Sequence, residues 1–375
     1  MMKGIKKWRL FALMTTLLVF LAGCGREEIS TLIPAGKVAQ DQFNLLILSS
    51  VVMLFVIIVV TIIFVLAIVK FRRSKMGEDM IPEQVEGSAK LEFLWTAVPI
   101  VLLLILAVPT VYSTFDLADV STMDVEAKDG KSSNLTVNVT GKLYWWEFEY
   151  PEQGIVTAQE LVVPTDERVY FNLISADIKH SFWIPSIGGK LDVNPENVNT
   201  FYLEFDQESA ELEDGVFYGK CAELCGPSHA LMDFKVKSVD REEFDQWVTA
   251  MQAEEPAAVE GDLAQQGEEL FGADGLACIQ CHAVSGAGGT GGVGPNLATF
   301  GDRNRVAGYL EHDEENLKNW IQDPQEYKPG NLMPEAASLN NGKALSDQEL
   351  DALAAYLMAY QLKSRKKLKK GRYSL

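Results

Sequence analysis

Cys221, Glu223, Cys225, His229 and Met232 stand within twelve residues, in the run Cys-Ala-Glu-Leu-Cys-Gly-Pro-Ser-His-Ala-Leu-Met. Two thiols, an imidazole and a thioether are soft or borderline donors, which suit copper better than magnesium, calcium or manganese. A single blue-copper ion takes one Cys, two His and a weak Met. Here two Cys are enough to bridge a second ion. A further imidazole stands upstream, His180 in His-Ser-Phe-Trp-Ile-Pro, and the chain has only 4 histidines. Two other readings of the run stay open on residue types alone. Cysteines four apart can form a disulfide in an exported domain, or hold a structural zinc with the two histidines.

A second motif is Cys278-Ile-Gln-Cys281-His282. Cys-x-x-Cys-His is the attachment site of a c-type haem. The two thiols add to the haem vinyl groups, and the histidine is the proximal iron ligand. A methionine on the far side raises the potential. Met333, in Pro-Gly-Asn-Leu-Met-Pro, is the candidate, because prolines on both sides hold its backbone out of a helix. Met358 falls on an apolar helix face and reads as core. The plainer alternative for Cys-x-x-Cys is a redox disulfide or half a zinc site, against which the adjoining histidine weighs.

These donors need a scaffold, and 375 residues leave room for two or three domains. The first 23 residues read as an export signal, with Lys3, Lys6, Lys7 and Arg9 before an apolar run too short to span a bilayer. The run ends in Leu-Ala-Gly-Cys, which resembles a bacterial lipobox and implies lipidation at Cys24. Residues 42–69 and 93–115 are free of charged side chains, and each exceeds the ~20 residues that cross a bilayer. Lys70, Arg72, Arg73, Lys75 and Lys90 lie between them and place that loop on the cytoplasmic side. Both ends of the hairpin, and both donor motifs, are then outside. Of 5 cysteines, two serve each motif and one the lipid, leaving none for a disulfide.

Beyond the second span the pattern changes to period two. Strands are expected over 134–140, 143–150, 168–174, 198–205 and 234–239, with the Cys221–Met232 loop between a strand ending near Lys220 and one starting near Asp233. Many short strands argue for a sandwich or barrel. A helix is expected over 242–253, a linker after it, and helices again over 263–271, 315–322 and 346–362, the last opened by a Ser346/Glu349 capping box. The linker is short enough to hold the two domains at an effective concentration on the order of millimolar. The formal net charge of −19 hides a separation. Residues 116–362 are strongly acidic, while the last thirteen hold seven Lys or Arg and no acid. An acidic electron carrier suits a cationic partner, and no nucleic-acid partner is expected.

Taken together the chain resembles subunit II of a bacterial cytochrome c oxidase of the type with a fused cytochrome c. The resemblance implies a multi-domain fold: a two-helix transmembrane hairpin, an all-β cupredoxin Greek-key sandwich and an all-α class I cytochrome c domain. The expected division is signal 1–23, lipidated N-terminus and membrane hairpin 24–115, copper A domain 116–253, linker 254–262, cytochrome domain 263–362 and basic tail 363–375. It implies that Cys221 and Cys225 bridge two coppers, that His180 and His229 bind one each, and that Met232 and the Glu223 carbonyl are weak ligands. The Glu223 carboxylate would face a magnesium ion shared with subunit I. Haem c would be held by Cys278 and Cys281, with His282 and Met333 on the iron and the Pro295 carbonyl on the His282 ring.

In that family electrons arrive through a tryptophan on an aromatic strand. Here the position falls on Tyr144, followed by Trp145 and Trp146, and all three are candidates. Asp177 reads as part of an acidic docking surface or as a turn residue. The implied function is electron transfer from cytochrome c through haem c and copper A to subunit I, in company with other oxidase subunits at the membrane. Two alternatives remain: the copper A subunit of a nitric oxide reductase, and a membrane-tethered copper or haem carrier.

Overall fold

A computed structural model describes residues 8, 11–16, 25–77, 81, 84–123, 134–253, 261–272, 276–284 and 292–362. Cys24, the linker over 254–260, most of the glycine-rich stretch after Val284 and the basic tail lie outside the described residues.

Two long helices come first, α1 (Lys37–Lys70) and α2 (Ala89–Leu117). Their sides carry exposed apolar residues such as Phe55, Ile62, Leu66, Trp95 and Leu104, a surface that only lipid or another membrane chain covers at low cost. At its outer end α1 meets the next domain. The Ala35 N–H donates to the Ser186 carbonyl at 2.7 Å and the Ala39 N–H to the Ile187 carbonyl at 3.0 Å, while Val38 and Ala39 are buried.

The second body is a sandwich of two five-stranded sheets. One has the order β3 (Ile155–Ala158), β2 (Trp145–Tyr150), β1 (Leu135–Lys142), β5 (Arg168–Ser175), β8 (Asn199–Glu204). The other runs β4 (Glu160–Pro164), β10 (Asp233–Val239), β9 (Phe217–Cys221), β6 (His180–Trp183), β7 (Leu191–Val193). In β1 buried and half-buried residues alternate strictly, the signature of one face on the core. Aromatic rings fill the space between the sheets. Phe182 and Phe234 stack at 4.8 Å between centroids, and Trp146 meets both edge-on at 5.6 Å. Four strands, β3, β4, β6 and β7, were not expected from the sequence; at three to five residues they are too short for a period to register. The expected strand over 143–150 begins only at Trp145, because Leu143 and Tyr144 form the two-residue turn between the paired Lys142 and Trp145. Helix α3 (Arg241–Gln252), capped by Asp240, closes the domain.

The third body is helical: α4 (Asp262–Phe271), α5 (Glu314–Gln322) and α6 (Asp347–Ala359). Ser346 and Glu349 form the expected capping box. Helices α4 and α6 cross at Gly267, where a Cβ would stand 2.7 Å from that of Tyr356 and collide with the Ala352 carbonyl. Gly267→Ala should therefore force the two helices apart and lower the stability of this domain by ~1–3 kcal/mol, as overpacking does. Denaturant unfolding of the intact chain, followed through this domain, would measure it; an unchanged midpoint would contradict the close crossing.

Candidate functional site

The strand pairing brings the first donor set together. β6 pairs with β9 in the register Phe182↔Cys221, which sets His180 beside Cys221 although 41 residues separate them. The loop from β9 to β10 then folds back over this corner. The result is a chain of facing donor atoms. Cys221 Sγ lies 3.8 Å from His180 Nδ1 and 3.8 Å from Cys225 Sγ. Cys225 Sγ lies 3.6 Å from His229 Nδ1 and 3.9 Å from Met232 Sδ. The Glu223 carbonyl is 3.3 Å from Cys221 Sγ. Each sulfur thus faces one imidazole nitrogen, and sulfur to sulfur is far beyond the 2.03–2.05 Å of a disulfide. Donors bonded to a shared ion at about 2.0–2.3 Å stand at spacings of this order.

Asp177, expected at the surface or in a turn, instead holds His180. Its Oδ1 lies 2.8 Å from His180 Nε2, and its other oxygen accepts the Leu143 N–H at 2.7 Å. That contact turns Nδ1 toward the sulfur and makes the ring more basic, as carboxylate partners of metal-ligating histidines do. Gly141 permits the approach, since a Cβ there would stand 2.9 Å from His180 Cδ2. Burial opposes charge on His180, but Asp177 and the Cys221 thiolate outweigh it and hold the imidazolium up at about 9. The two thiols share one proton. Hydrogen bonding from Cys225, aided by His180, draws Cys221 far down, and the Cys221 thiolate in turn pushes Cys225 up. A pair that readily holds one thiolate is ready to bind a cation.

The second donor set lines a mainly apolar cavity of about 230 Å³ in the helical body. Cys278, Cys281, His282 and Met333 all face it, with Leu297, Phe300, Trp320, Leu353 and Leu357. His282 Nδ1 lies 2.8 Å from the Pro295 carbonyl, which leaves Nε2 for the cavity. Burial pushes the His282 pKa down, which favours the neutral imidazole, the form in which histidine binds metals. The Met333 loop is pinned: its N–H donates to Asn331 Oδ1 at 2.7 Å, and Gln325 Nε2 donates to the Asn331 and Met333 carbonyls at 2.9 and 3.0 Å. Met358 packs against the helix core.

The aromatic strand lies between the two sets. Tyr144 and Trp145 line the cavity, while Trp146 stands 6.0 Å from the His180 ring and donates Nε1–H to the Met232 carbonyl at 3.3 Å. The Tyr144 hydroxyl reaches the other loop at Gly226. All three side chains are buried, at 3%, 8% and 0% exposure, so none is offered to a freely diffusing donor. Residues that tie the two bodies together had no local signal in the sequence. Glu160 accepts from Lys237 at 2.8 Å and from Asn304 Nδ2 at 3.1 Å. Lys235 Nζ donates to the Gly308 carbonyl at 3.2 Å and Gln159 Nε2 to the Ala307 carbonyl at 3.2 Å.

Family models match three stretches of the chain: the transmembrane domain of cytochrome c oxidase subunit II over residues 37–112, its periplasmic domain over 153–239 and cytochrome c over 264–361. Cytochrome c oxidase subunit 2 of Bacillus sp. (strain PS3) is 53% identical over 365 residues, covering 96% of this chain and 100% of the relative. The protein of the same name in Bacillus subtilis (strain 168) is 50% identical over 364 residues, again covering 96% and 100%. The chain belongs to the cytochrome c oxidase subunit II family. Among solved structures, the periplasmic domain of subunit II from Bradyrhizobium japonicum aligns at 29% identity over 33% of this chain and 96% of that one, with a TM-score of 0.30. As a member of the family the chain is an electron-transfer subunit of a terminal oxidase. Its architecture is a membrane hairpin, a cupredoxin-like sandwich outside the membrane and a helical cytochrome c domain. The sandwich implies a copper A centre and the cytochrome domain a haem. The donor chemistry fits both: soft sulfur and imidazole atoms converge in one place, and a Cys-x-x-Cys-His faces an apolar cavity in the other.

Proposed function

We propose that this subunit receives electrons from cytochrome c at a haem held by Cys278 and Cys281, and hands them on through copper to the oxidase's subunit I. The convergence of both donor sets on one aromatic strand, Tyr144 to Trp146, carries this reading. Bound at these sites, a haem and a copper pair each take up and release one electron.

The facing atoms support the assignment of copper and haem residues. Cys221 and Cys225 would hold the copper pair as thiolates, His180 and His229 as imidazole ligands, and Met232 and the Glu223 carbonyl as the weaker donors. His282 and Met333 would hold the haem iron. Asp177 and Pro295 fix the His180 and His282 rings. The Glu223 carboxylate is assigned to a magnesium ion shared with subunit I, and Cys24 to a lipid that adds a second anchor beside the hairpin. Tyr144 and Trp145 stand where electrons leave the haem cavity, and Trp146 supports the copper loop. Tethered and docked beside the copper loop, the fused cytochrome competes well against free donors.

In a stopped-flow experiment on the intact oxidase, a small external cytochrome is expected to reduce the haem chromophore before the copper one. Copper reduced first would place the point of electron arrival on the sandwich and overturn the proposed order. The rate should also fall as salt rises, because the donor is steered by an acidic surface screened within ~10 Å at 0.1 M.

A further inference from the structure

We propose that Lys328 is a positioning residue for electron passage between the two domains, clamping, together with Ser228, the loop that carries Met333 onto the loop that carries the copper ligands. The proposal rests on the assignment of haem and copper to these loops made above.

Three consecutive residues make the junction. Lys328 is 3% exposed, and its Nζ donates to the Tyr144 carbonyl at 2.9 Å and to the Ala307 carbonyl at 2.7 Å. One acceptor belongs to the sandwich and the other to the cytochrome domain, so the side chain spans the boundary. The next residue, Pro329, accepts the Ser228 Oγ–H through its carbonyl at 2.7 Å. Ser228 is wholly buried and adjoins His229. Gly330 then takes a left-handed φ of +81° and lies flat against Tyr144 and Pro227, with room for a Cβ only at 3.4 Å from the tyrosine oxygen. Three residues further on is Met333. The loop that offers an iron ligand is therefore fastened, within five residues of that ligand, to the residue before a copper ligand and to the turn that begins the aromatic strand.

A lysine whose role was only to stabilise the cytochrome fold would have no reason to aim at the other domain's backbone. An ammonium offers three donors on a long flexible stem, which suits two carbonyls on different bodies. The Lys328 side chain is buried in the junction, and burial pushes its pKa down to about 7, with Asp233 favouring its charge and Lys235 opposing it. Removing the donor would leave the buried Tyr144 carbonyl without this partner and the Ala307 carbonyl with Gln159 alone, and a buried acceptor left without its donor costs more than the bond contributes when made.

The test uses the full oxidase in detergent, with a protease recognition sequence placed in residues 254–260. Optical and paramagnetic-resonance spectra of the unmutated complex come first. Absence of the two-copper signal or of the methionine–iron band there would remove the underlying assignment before any variant is made. In Lys328→Met, the cleaved haem-bearing piece should bind the remainder about tenfold more weakly at high salt, the loss expected when a buried acceptor is deprived of its donor. In the uncleaved complex the haem-to-copper electron-transfer rate should fall by a similar factor, with both spectra and both potentials unchanged. Lys328→Met with unaltered affinity and rate overturns the proposal. If that variant loses the methionine–iron band, Ser228→Ala, which removes only the bond to Pro329, decides by the same two measurements. A loss of about threefold in each supports the clamp, and none refutes it.

Discussion

Cys225→Ser is expected to abolish the purple mixed-valence copper signal and to leave at most one copper per chain. Cys225 Sγ lies within 4 Å of Cys221 Sγ, His229 Nδ1 and Met232 Sδ, so the proposed donor set is joined through it. A serine oxygen is a harder donor and cannot bridge soft ions as a thiolate does. Loss of a single outer hydrogen bond costs metal sites 10–100-fold in affinity or activity. Loss of a bridging ligand should therefore lower oxidase turnover by more than ~100-fold. Met232→Leu offers the contrast: both ions should stay, with a shifted potential, because the thioether is a weak ligand. Metal analysis with paramagnetic resonance decides between them. Two coppers with an intact purple signal in Cys225→Ser would mean that this sulfur bridges nothing.

The second large effect is expected at the haem. Met333→Ala should abolish the far-red methionine–iron band and lower the potential, while Cys278 and Cys281 keep the haem covalently attached through acid–acetone extraction. Axial ligands move haem potentials over ≈ 0.8 V in all, so a drop on the order of 0.1 V is reasonable for loss of one. At 59 mV per tenfold for one electron, that is about fiftyfold in the equilibrium with an external cytochrome. Met358→Ala is the control, since that side chain packs among the helices and should leave the band in place. A band that survives Met333→Ala would assign the sixth position to another residue.

The copper loop and the haem motif were legible because their donors are local. Five of the six proposed copper-site residues fall within twelve positions, and the proposed haem attachment within five. His180 was legible as one of only 4 histidines and through the resemblance, but its place beside Cys221 depends on the pairing of β6 with β9, and β6 is four residues long. The role of Asp177 was hidden for a related reason. An Asp three residues before a His reads as a turn until the bend that follows β5 points it back at the ring. The junction between the domains left no local trace at all. Lys328, Ser228, Gln159 and Glu160 are ordinary polar residues whose partners across the junction lie 101 to 184 positions away. Polar contacts of that range impose no periodicity, so the sequence suggested a tether where the structure shows a seam.

The join between α1 and the sandwich has a geometric consequence. Because the Ala35 and Ala39 amides are bonded to the backbone of residues 186 and 187, no swivel separates the membrane helix from the body that carries the donors. At 1.5 Å per residue the 34 residues of α1 reach about 51 Å, well beyond the ~30 Å of hydrocarbon. The helix is thus a rigid mast, and its length sets the height of the sandwich above the bilayer. Its phase sets the compass bearing as well. One inserted residue in the outer turns would lift the sandwich by ~1.5 Å and turn it by about 100°, aiming the copper loop away from whatever it faces in the assembled oxidase.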